Sequence, residues 1–194
     1  TDPADTGAVC LALPQDVEGE AYDYPVAFFE KRVWHIDRRP LSQGQLERAA
    51  DIIRAAKKPL LICGGGVRYS FAGDALDAFC RQTGIPFAET QAGKGTLPWD
   101  HAHNLGGIGV TGGQAANIIA KEADLIIAVG TRLTDFTTCS KWLFHKDAQV
   151  LSINICAFDA IKMLGTPIIA DAREALTALT EALDGYHTTW GDAP

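Results

Sequence analysis

The sequence lacks the features that mark membrane-spanning, secreted and zinc-binding proteins. No apolar stretch approaches the roughly 18 residues that cross a bilayer, and no signal peptide opens the chain. The cysteines are odd in number, widely spaced and without a Cys-x-x-Cys pair, so they indicate neither a disulfide framework nor a zinc site. They are Cys10, Cys63, Cys80, Cys139 and Cys156. We therefore predict a cytoplasmic protein in a reducing compartment.

Positive charge is also scarce. The chain has 17 lysines and arginines against 24 aspartates and glutamates, which gives a net charge of -7. Nucleic acids and membrane surfaces are polyanionic and require a basic patch, so we predict neither as a partner. We interpret the one basic cluster, Lys31, Arg32, Arg38 and Arg39, as the solvated face of a linker.

The beginning of the sequence predicts a piece of a longer polypeptide. The first residue is Thr instead of Met, and residues 8–13 resemble a strand that has no partner nearby in the sequence. Residues 18–40 have no sustained period, are rich in aromatics and contain Pro25 and Pro40. Such a segment is typical of an extended linker pinned onto other surfaces.

Short apolar runs that stop at glycine or small polar residues dominate the rest of the chain. The run LLIC at 60–63 stops at three glycines, LIIAV at 125–129 stops at GTR, and three further runs occupy 85–88, 149–153 and 167–170. Such runs indicate buried parallel strands, and helical periods separate them. The pattern predicts an α/β fold: a doubly wound, mostly parallel, Rossmann-like sheet of about six strands with helices on both faces. Ligands bind such sheets at the carboxyl ends of the strands, so we interpret this edge as a nucleotide or diphosphate cleft.

Capping residues predict where helices begin and end. Ser42 and Asp171 each precede a helical period and have Gln or Glu three residues later, as in a capping box. Ser70 is predicted to cap another helix, which Gly84 ends in a left-handed conformation. Residues 93–113 are dense in glycine and are predicted to form tight turns instead of long regular elements.

The triple glycine departs from the dinucleotide fingerprint G-x-G-x-x-G because Tyr69 stands in place of the last glycine. An ordinary NAD site is therefore not indicated, and a tight turn without a ligand is the alternative interpretation. Arg132 follows a strand and either binds a diphosphate or pairs with Asp135. Lys94, between two glycines, is either a phosphate contact or a solvated loop residue.

No catalytic or metal-binding arrangement emerges from the sequence. His101 and His103 follow Asp100, but their spacing is not the i, i+4 pattern of zinc enzymes and no additional ligand is evident. We interpret both as surface-loop histidines. We find no Ser-His-Asp, Cys-His or paired-carboxylate pattern, so we predict no catalytic residue and no metal ligand.

Several segments, taken together, resemble the central domain of thiamine-diphosphate enzymes of the acetolactate synthase type. They are PQDV at 14–17, PLLICGGG at 59–66, ETQAGKG at 89–95, NLGGIGVTG at 104–112 and ADLIIAVGTR at 123–132. Within that superfamily, other segments are similar to the trihydroxycyclohexanedione hydrolases of myo-inositol catabolism. These are AYDYP at 21–25, FFEKRV at 28–33, IDRRP at 36–40, LPWD at 97–100 and RLTDFTT at 132–138.

The resemblance implies a three-domain parent enzyme. Residues 1–20 would be the tail of a pyrimidine-binding domain, 21–40 a linker, 41–185 the central Rossmann-like domain and 186–194 a linker to a diphosphate-binding domain. Such parents use thiamine diphosphate and magnesium, whose sites lie in the other domains, and they form homo-oligomers. The chain alone is therefore expected to be inactive, with the remaining domains of its polypeptide as partners.

Flavin-containing relatives hold FAD along the carboxyl edge of this domain. By that resemblance the cofactor-binding residues are Gly64, Gly65, Gly66, Gly93, Gly109, Arg132 and Asn154. This chain has INIC at 153–156 where flavin-binding relatives have Ile-Asp-Ile-Asp. Three states of the cleft stay open: empty, occupied by FAD or an ADP-like group, or used only to support a subunit interface. An FAD- or ADP-binding module is thus the alternative function. A third alternative, an NAD-dependent deacylase, is disfavoured because the chain lacks a zinc-binding cysteine quartet.

Overall fold

The computed structural model describes residues 2–190, and the chain forms two compact units, Thr1–Asp37 and Arg38–Pro194. In the described part of the first unit, a short helix α1 spans Gln15–Glu18 and a 3₁₀ turn spans Val26–Phe29. Tyr22, Tyr24, Phe28 and Phe29 stack with ring centroids 5.2–6.1 Å apart and remain exposed.

The prediction of a strand at residues 8–13 is wrong. The structure assigns this segment no regular element, and its apolar side chains are exposed. A short apolar run forms a strand only when a neighbouring strand supplies hydrogen-bond partners. The described residues provide no such neighbour for this segment.

The second unit is an α/β domain built on one parallel sheet, as predicted. Its helices are α2 (Gln43–Ala55), α3 (Gly65–Tyr69), α4 (Gly73–Thr83), α5 (Gln114–Glu122), α6 (Asp135–Thr138), α7 (Ala157–Ala160) and α8 (Ala172–Ala182), with a 3₁₀ turn at Lys162–Leu164. Its strands are β1 (Pro59–Cys63), β2 (Phe87–Glu89), β3 (Asn104–Gly107), β4 (Leu125–Val129), β5 (Gln149–Asn154) and β6 (Thr166–Ile169). Within residues 2–190, no helix has the length and apolarity required to span a membrane.

The strand order is β3-β2-β1-β4-β5-β6, and every pairing is parallel. The order reverses between β1 and β4, where Leu60 pairs with Ile126 and Cys63 with Val129. Both strands are buried along their whole length, as expected for central strands covered on two faces. The loops that follow β1 and β4 therefore lie side by side at the switch point of the sheet.

The two faces of the sheet carry different cores. Alternate strand residues such as Leu61 and Ile127 pack with α2, α4 and α8 on one face. The opposite residues, such as Ile62 and Ile126, pack with α5 and with the β4–β5 and β5–β6 crossovers. The first face thus has three helices of 11 to 13 residues, whereas the second has one helix of nine residues and two single turns.

The helix caps were predicted with mixed success. Ser42 and Gln45 form the expected capping box, the Asp171 carboxylate accepts bonds from the Arg173 and Glu174 amides, and Gly84 ends α4 with φ +69°. The prediction for Ser70 is wrong, because α4 begins at Gly73 and the Ser70 hydroxyl donates to Asp171 Oδ2 over 2.9 Å. The Ser70 hydroxyl thus bonds to a carboxylate 101 positions away in the sequence instead of capping the next helix.

Two further elements differ from the sequence prediction. The helix α3, which begins immediately after the first glycine of the triplet, was not predicted. Residues 93–113 contain the edge strand β3, which pairs with β2 through an irregular register between Phe87 and Glu89. β3 could not be recognised by β-branched residues because it contains glycines instead. Glycine weakens a strand less at the edge of a sheet than in its middle.

Candidate functional site

The loops after β1 and β4 are in direct backbone contact. The Gly64 amide donates to Val129 O and the Gly66 amide to Gly130 O, each over 2.9 Å. A Cβ added to Gly64 would collide with the Gly130 carbonyl, and one added to Gly66 would lie 2.6 Å from the Gly130 Cα. The absence of side chains at these positions is therefore already required by the close approach of two loops.

Gly93 and Gly109 also face the protein's own backbone. A Cβ on Gly93 would collide with the Cys63 carbonyl, and one on Gly109, which has φ +95°, would collide with the Phe136 carbonyl. Gly65 is less restricted, since its added Cβ would lie 3.0 Å from Ala92 Cβ. These contacts explain the glycines without a ligand, and their assignment as cofactor contacts stays a prediction.

Arg132 and Asn154, the two predicted side-chain contacts, differ in availability. The Arg132 side chain is exposed and forms no hydrogen bond or ion pair within residues 2–190, so the alternative pairing with Asp135 is not made. Asn154 is buried, donates through Nδ2 to Thr131 O over 3.1 Å and accepts through Oδ1 from the Cys156 amide over 3.0 Å. Asn154 thus shapes the turn after β5, whereas Arg132 is free to bind an anion.

Glu89 was not proposed as a site residue, although it ends β2 at the same edge. Its side chain is buried and accepts from the Gly95 amide over 3.1 Å. A cavity of about 60 Å³ lies beside it, lined by Glu89, Thr90, Gln91, Lys94, Gly107, Ile108 and Thr111. Its position directly after an apolar run is the signal that could have identified it.

The larger cavity, about 380 Å³, lies at the amino ends of the strands instead of the predicted edge. Charged side chains of both signs line it, among them Lys57, Lys58 and Asp124. The Asp124 carboxylate accepts from the amides of Lys57 and Lys58, each over 2.8 Å. These bonds attach the turn before β1 to the residue before β4, so Asp124 connects the beginnings of the two strands.

His101 lies in a loop, as predicted, but its side chain does not lie at the surface. Its side chain is only 5% exposed, and its Nε2 lies 2.8 Å from Asp77 Oδ1. Its Nδ1 accepts from the His103 amide over 3.2 Å, so Nε2 is the ring nitrogen that donates to Asp77. This hydrogen bond, with the Arg81 guanidinium 2.7 Å from Asp77 Oδ1, lowers the pKa of Asp77. Within residues 2–190, no three His, Cys, Asp or Glu side chains are placed to hold a metal ion.

The chain was compared with known proteins. Residues 46–179 match the family model described as thiamine pyrophosphate enzyme, central domain. A 3D-(3,5/4)-trihydroxycyclohexane-1,2-dione hydrolase from Geobacillus thermodenitrificans is 57% identical over 192 residues, and one from Clostridium tetani is 55% identical over 195 residues. Each match covers 99% of this chain, which spans about 30% of the length of either relative.

A solved structure confirms the fold. Benzoylformate decarboxylase from Polynucleobacter necessarius superposes with a TM-score of 0.66 at 20% identity, over 82% of this chain and 32% of the decarboxylase. Because the family model matches more than half of the chain, the chain belongs to the thiamine pyrophosphate enzymes, of which it is the central domain.

Proposed function

We propose that the chain is the central domain of a thiamine-diphosphate-dependent hydrolase that opens trihydroxycyclohexane-1,2-dione by cleaving a carbon–carbon bond in myo-inositol catabolism. One observation carries the proposal: the 57% identity to a relative with that name extends over nearly the whole chain. The benzoylformate decarboxylase, which shares the fold, is only 20% identical. This difference favours the hydrolase over other members of the family.

The proposal assigns the chain a structural role within a longer polypeptide. Residues 1–20 complete a pyrimidine-binding domain, 21–40 form a linker, 41–185 form the central domain and 186–194 lead to a diphosphate-binding domain. Of the last linker, residues 191–194 lie outside the described part of the chain. Thiamine diphosphate and magnesium are held by the other domains of a cytoplasmic homo-oligomer. The length of the relatives supports this division, since the chain spans only 30% of them.

The buried thiols of the domain also suit a structural role. Burial raises the pKa of Cys63 to about 12, and burial likewise raises the pKa of Cys80. Both thiols therefore stay protonated near neutral pH and are poor nucleophiles. Both contribute to the core on one face of the sheet, Cys63 from β1 and Cys80 from α4.

An activity assay of the full-length polypeptide and of the 194-residue chain tests the proposal. Each is incubated with the cyclic dione, with and without thiamine diphosphate and magnesium, and the ring-opened acid is measured by chromatography. We expect product only from the full-length protein with both cofactors. Turnover by the 194-residue chain would contradict the structural role, and a full-length enzyme that ignores the dione would contradict the substrate.

A second candidate is an ADP-containing ligand, such as FAD, on the carboxyl edge of the sheet. It is favoured by Arg132 and Lys94, whose exposed side chains make no hydrogen bond or ion pair in the described residues. A ligand at roughly 100 times its Kd would stabilise the fold by about 2.7 kcal/mol. We expect ADP or FAD, but not thiamine diphosphate, to raise the Tm, and Arg132→Gln to reduce that rise. No rise with either nucleotide would eliminate this candidate.

A further inference from the structure

The small cavity at the carboxyl edge of the sheet contains a buried carboxylate with open hydrogen-bonding positions. Glu89 is 5% exposed, and its Oε1 accepts from the Gly95 amide over 3.1 Å. Within residues 2–190 its side chain makes no other hydrogen bond and no ion pair. An ionised carboxylate offers about four acceptor positions, so most of them are unused. Since a buried charge without partners is costly, this geometry favours a hydrogen-bond donor in the cavity.

Rigid elements hold this carboxylate in place. Glu89 ends β2, where it pairs with Cys63 of β1 on one side and with Gly107 of β3 on the other. Beside the cavity, Gln91 Nε2 donates to Thr111 Oγ1 over 2.8 Å, which joins the loop after β2 to the loop after β3. Strands hold a functional group more precisely than loops do, so the Glu89 carboxylate is preorganised for a ligand.

The charges beside the cavity determine which ligand groups fit it. Lys94 lines the same cavity as Glu89, and its side chain makes no hydrogen bond or ion pair in the described residues. The carboxylate disfavours an anion and the ammonium disfavours a cation, whereas a hydroxyl donates to the first and accepts from the second. The cavity has a volume of about 60 Å³, and one water requires roughly 10–15 Å³, so more than one hydroxyl has space. The group that fits is therefore neutral and carries several hydroxyls.

We propose that Glu89, with Lys94, binds a vicinal diol; that this diol belongs to a ribose or to a cyclic polyol rests on the proposed function. The strand order supports a diol. In dinucleotide-binding sheets of the order 3-2-1-4-5-6, which is the order here, an acidic residue about 20 positions beyond the first glycine-rich turn bonds a ribose hydroxyl. Glu89 ends β2 and follows the glycines at 64–66 by a similar interval. It is thus placed to bind hydroxyls whether or not the glycine turn binds phosphate.

Equilibrium titration of the full-length protein with ADP and with 2′,3′-dideoxy-ADP tests the ribose. The two probes differ only in the ribose hydroxyls, and excess thiamine diphosphate keeps both out of its own site. We expect ADP to bind roughly tenfold more tightly, because a hydrogen bond to a charged group is lost with the dideoxy probe. Glu89→Gln should abolish this preference by weakening ADP alone. Glu181→Gln, which changes an exposed glutamate of α8, should preserve it.

Titration of the same protein with myo-inositol and with cyclohexanol tests the cyclic polyol. Myo-inositol carries vicinal hydroxyls, whereas cyclohexanol has a similar ring with a single hydroxyl. If the diol belongs to a cyclic polyol, Glu89→Gln should weaken the binding of myo-inositol roughly tenfold and leave that of cyclohexanol unchanged. The nucleotide probes should then show no difference from each other.

Lys94→Gln is a second variant that leaves the fold intact, because the Lys94 side chain is exposed and unpaired in residues 2–190. It should reduce the preference for the diol probe severalfold, and it decides the outcome if Glu89→Gln does not fold. Equal binding of ADP and 2′,3′-dideoxy-ADP, with myo-inositol binding that neither variant changes, would overturn the proposal, since the cavity would then hold only water. The titrations involve no turnover of the dione, so their result is independent of whether the proposed hydrolase activity is found.

Discussion

Two buried serines are expected to respond to the same substitution with opposite sign. Ser152 lies in β5, is 0% exposed, and its Oγ is a buried side-chain polar atom without a hydrogen-bond partner in the described residues. Ser70 is 7% exposed, and its hydroxyl donates to the Asp171 carboxylate over 2.9 Å. Replacing either by alanine removes one oxygen and leaves a void of the same size.

The magnitudes follow from the hydrogen bonding. A buried polar group without a partner costs roughly 1–3 kcal/mol, so Ser152→Ala removes this cost and should stabilise the fold by about 1 kcal/mol after the loss of packing. A hydrogen bond to a charged group contributes roughly 1.5–3 kcal/mol, so Ser70→Ala should destabilise by about 1.5 kcal/mol. For a domain of this size, 1 kcal/mol shifts the Tm by roughly 2–4 °C.

Urea unfolding of the two variants and the natural chain measures both effects, provided that the free energy of unfolding falls with urea concentration at the same slope in all three. The free energies of unfolding of the variants should differ by about 2.5 kcal/mol, from the two values above. If Ser152→Ala destabilises the fold as much as Ser70→Ala, the Ser152 hydroxyl has a partner such as a buried water. The reasoning from an unpaired group would then be refuted.

Two further predictions concern the loop contact and the buried histidine. Gly64→Ala should lower the free energy of unfolding by roughly 3 kcal/mol or more, because the added Cβ meets the Gly130 backbone. Gly44→Ala in α2 has open space around its added Cβ and should raise that free energy by up to ~1 kcal/mol. Urea unfolding measures both, and similar values for the two variants would contradict the steric argument. The hydrogen bond from His101 lowers the pKa of Asp77 in the folded protein. The stabilisation that this bond gives the fold is therefore fully present above the pKa of Asp77 in the unfolded chain, about 3.9, and is lost as the pH falls through the lower pKa of the folded state. Asp77→Asn should therefore reduce the loss of stability as the pH falls below about 4. An unchanged dependence of stability on acid pH would refute this assignment.

The sheet could be predicted because its strands are encoded locally. Residues 60–63 and 125–129 are continuous apolar runs that end at glycine, and burial on both faces permits no other pattern. The edge strand β3 and the Ser70 contact could not be found in this way. Both depend on partners distant in the sequence, β2 for the first and Asp171 for the second.

The close approaches between the strand-end loops were predicted in kind, whereas the cofactor site at this edge stays a prediction. Glycines at the strand ends indicated close approaches, but only the structure shows that Gly64 and Gly66 approach Gly130. Spacing alone could not show that the side chain of the loop residue His101 is covered, because its partner Asp77 belongs to a different element.

The two attachments of the central domain lie at opposite ends of the strands. Near its beginning, Arg38 is held by Asp171, which follows β6, and near its end the Thr188 amide donates to the carbonyl of Thr83, which precedes β2. A polypeptide that passes through this domain must therefore cross the length of a strand, roughly 17 Å for five residues. The rigid sheet thus keeps these two positions of the domain apart.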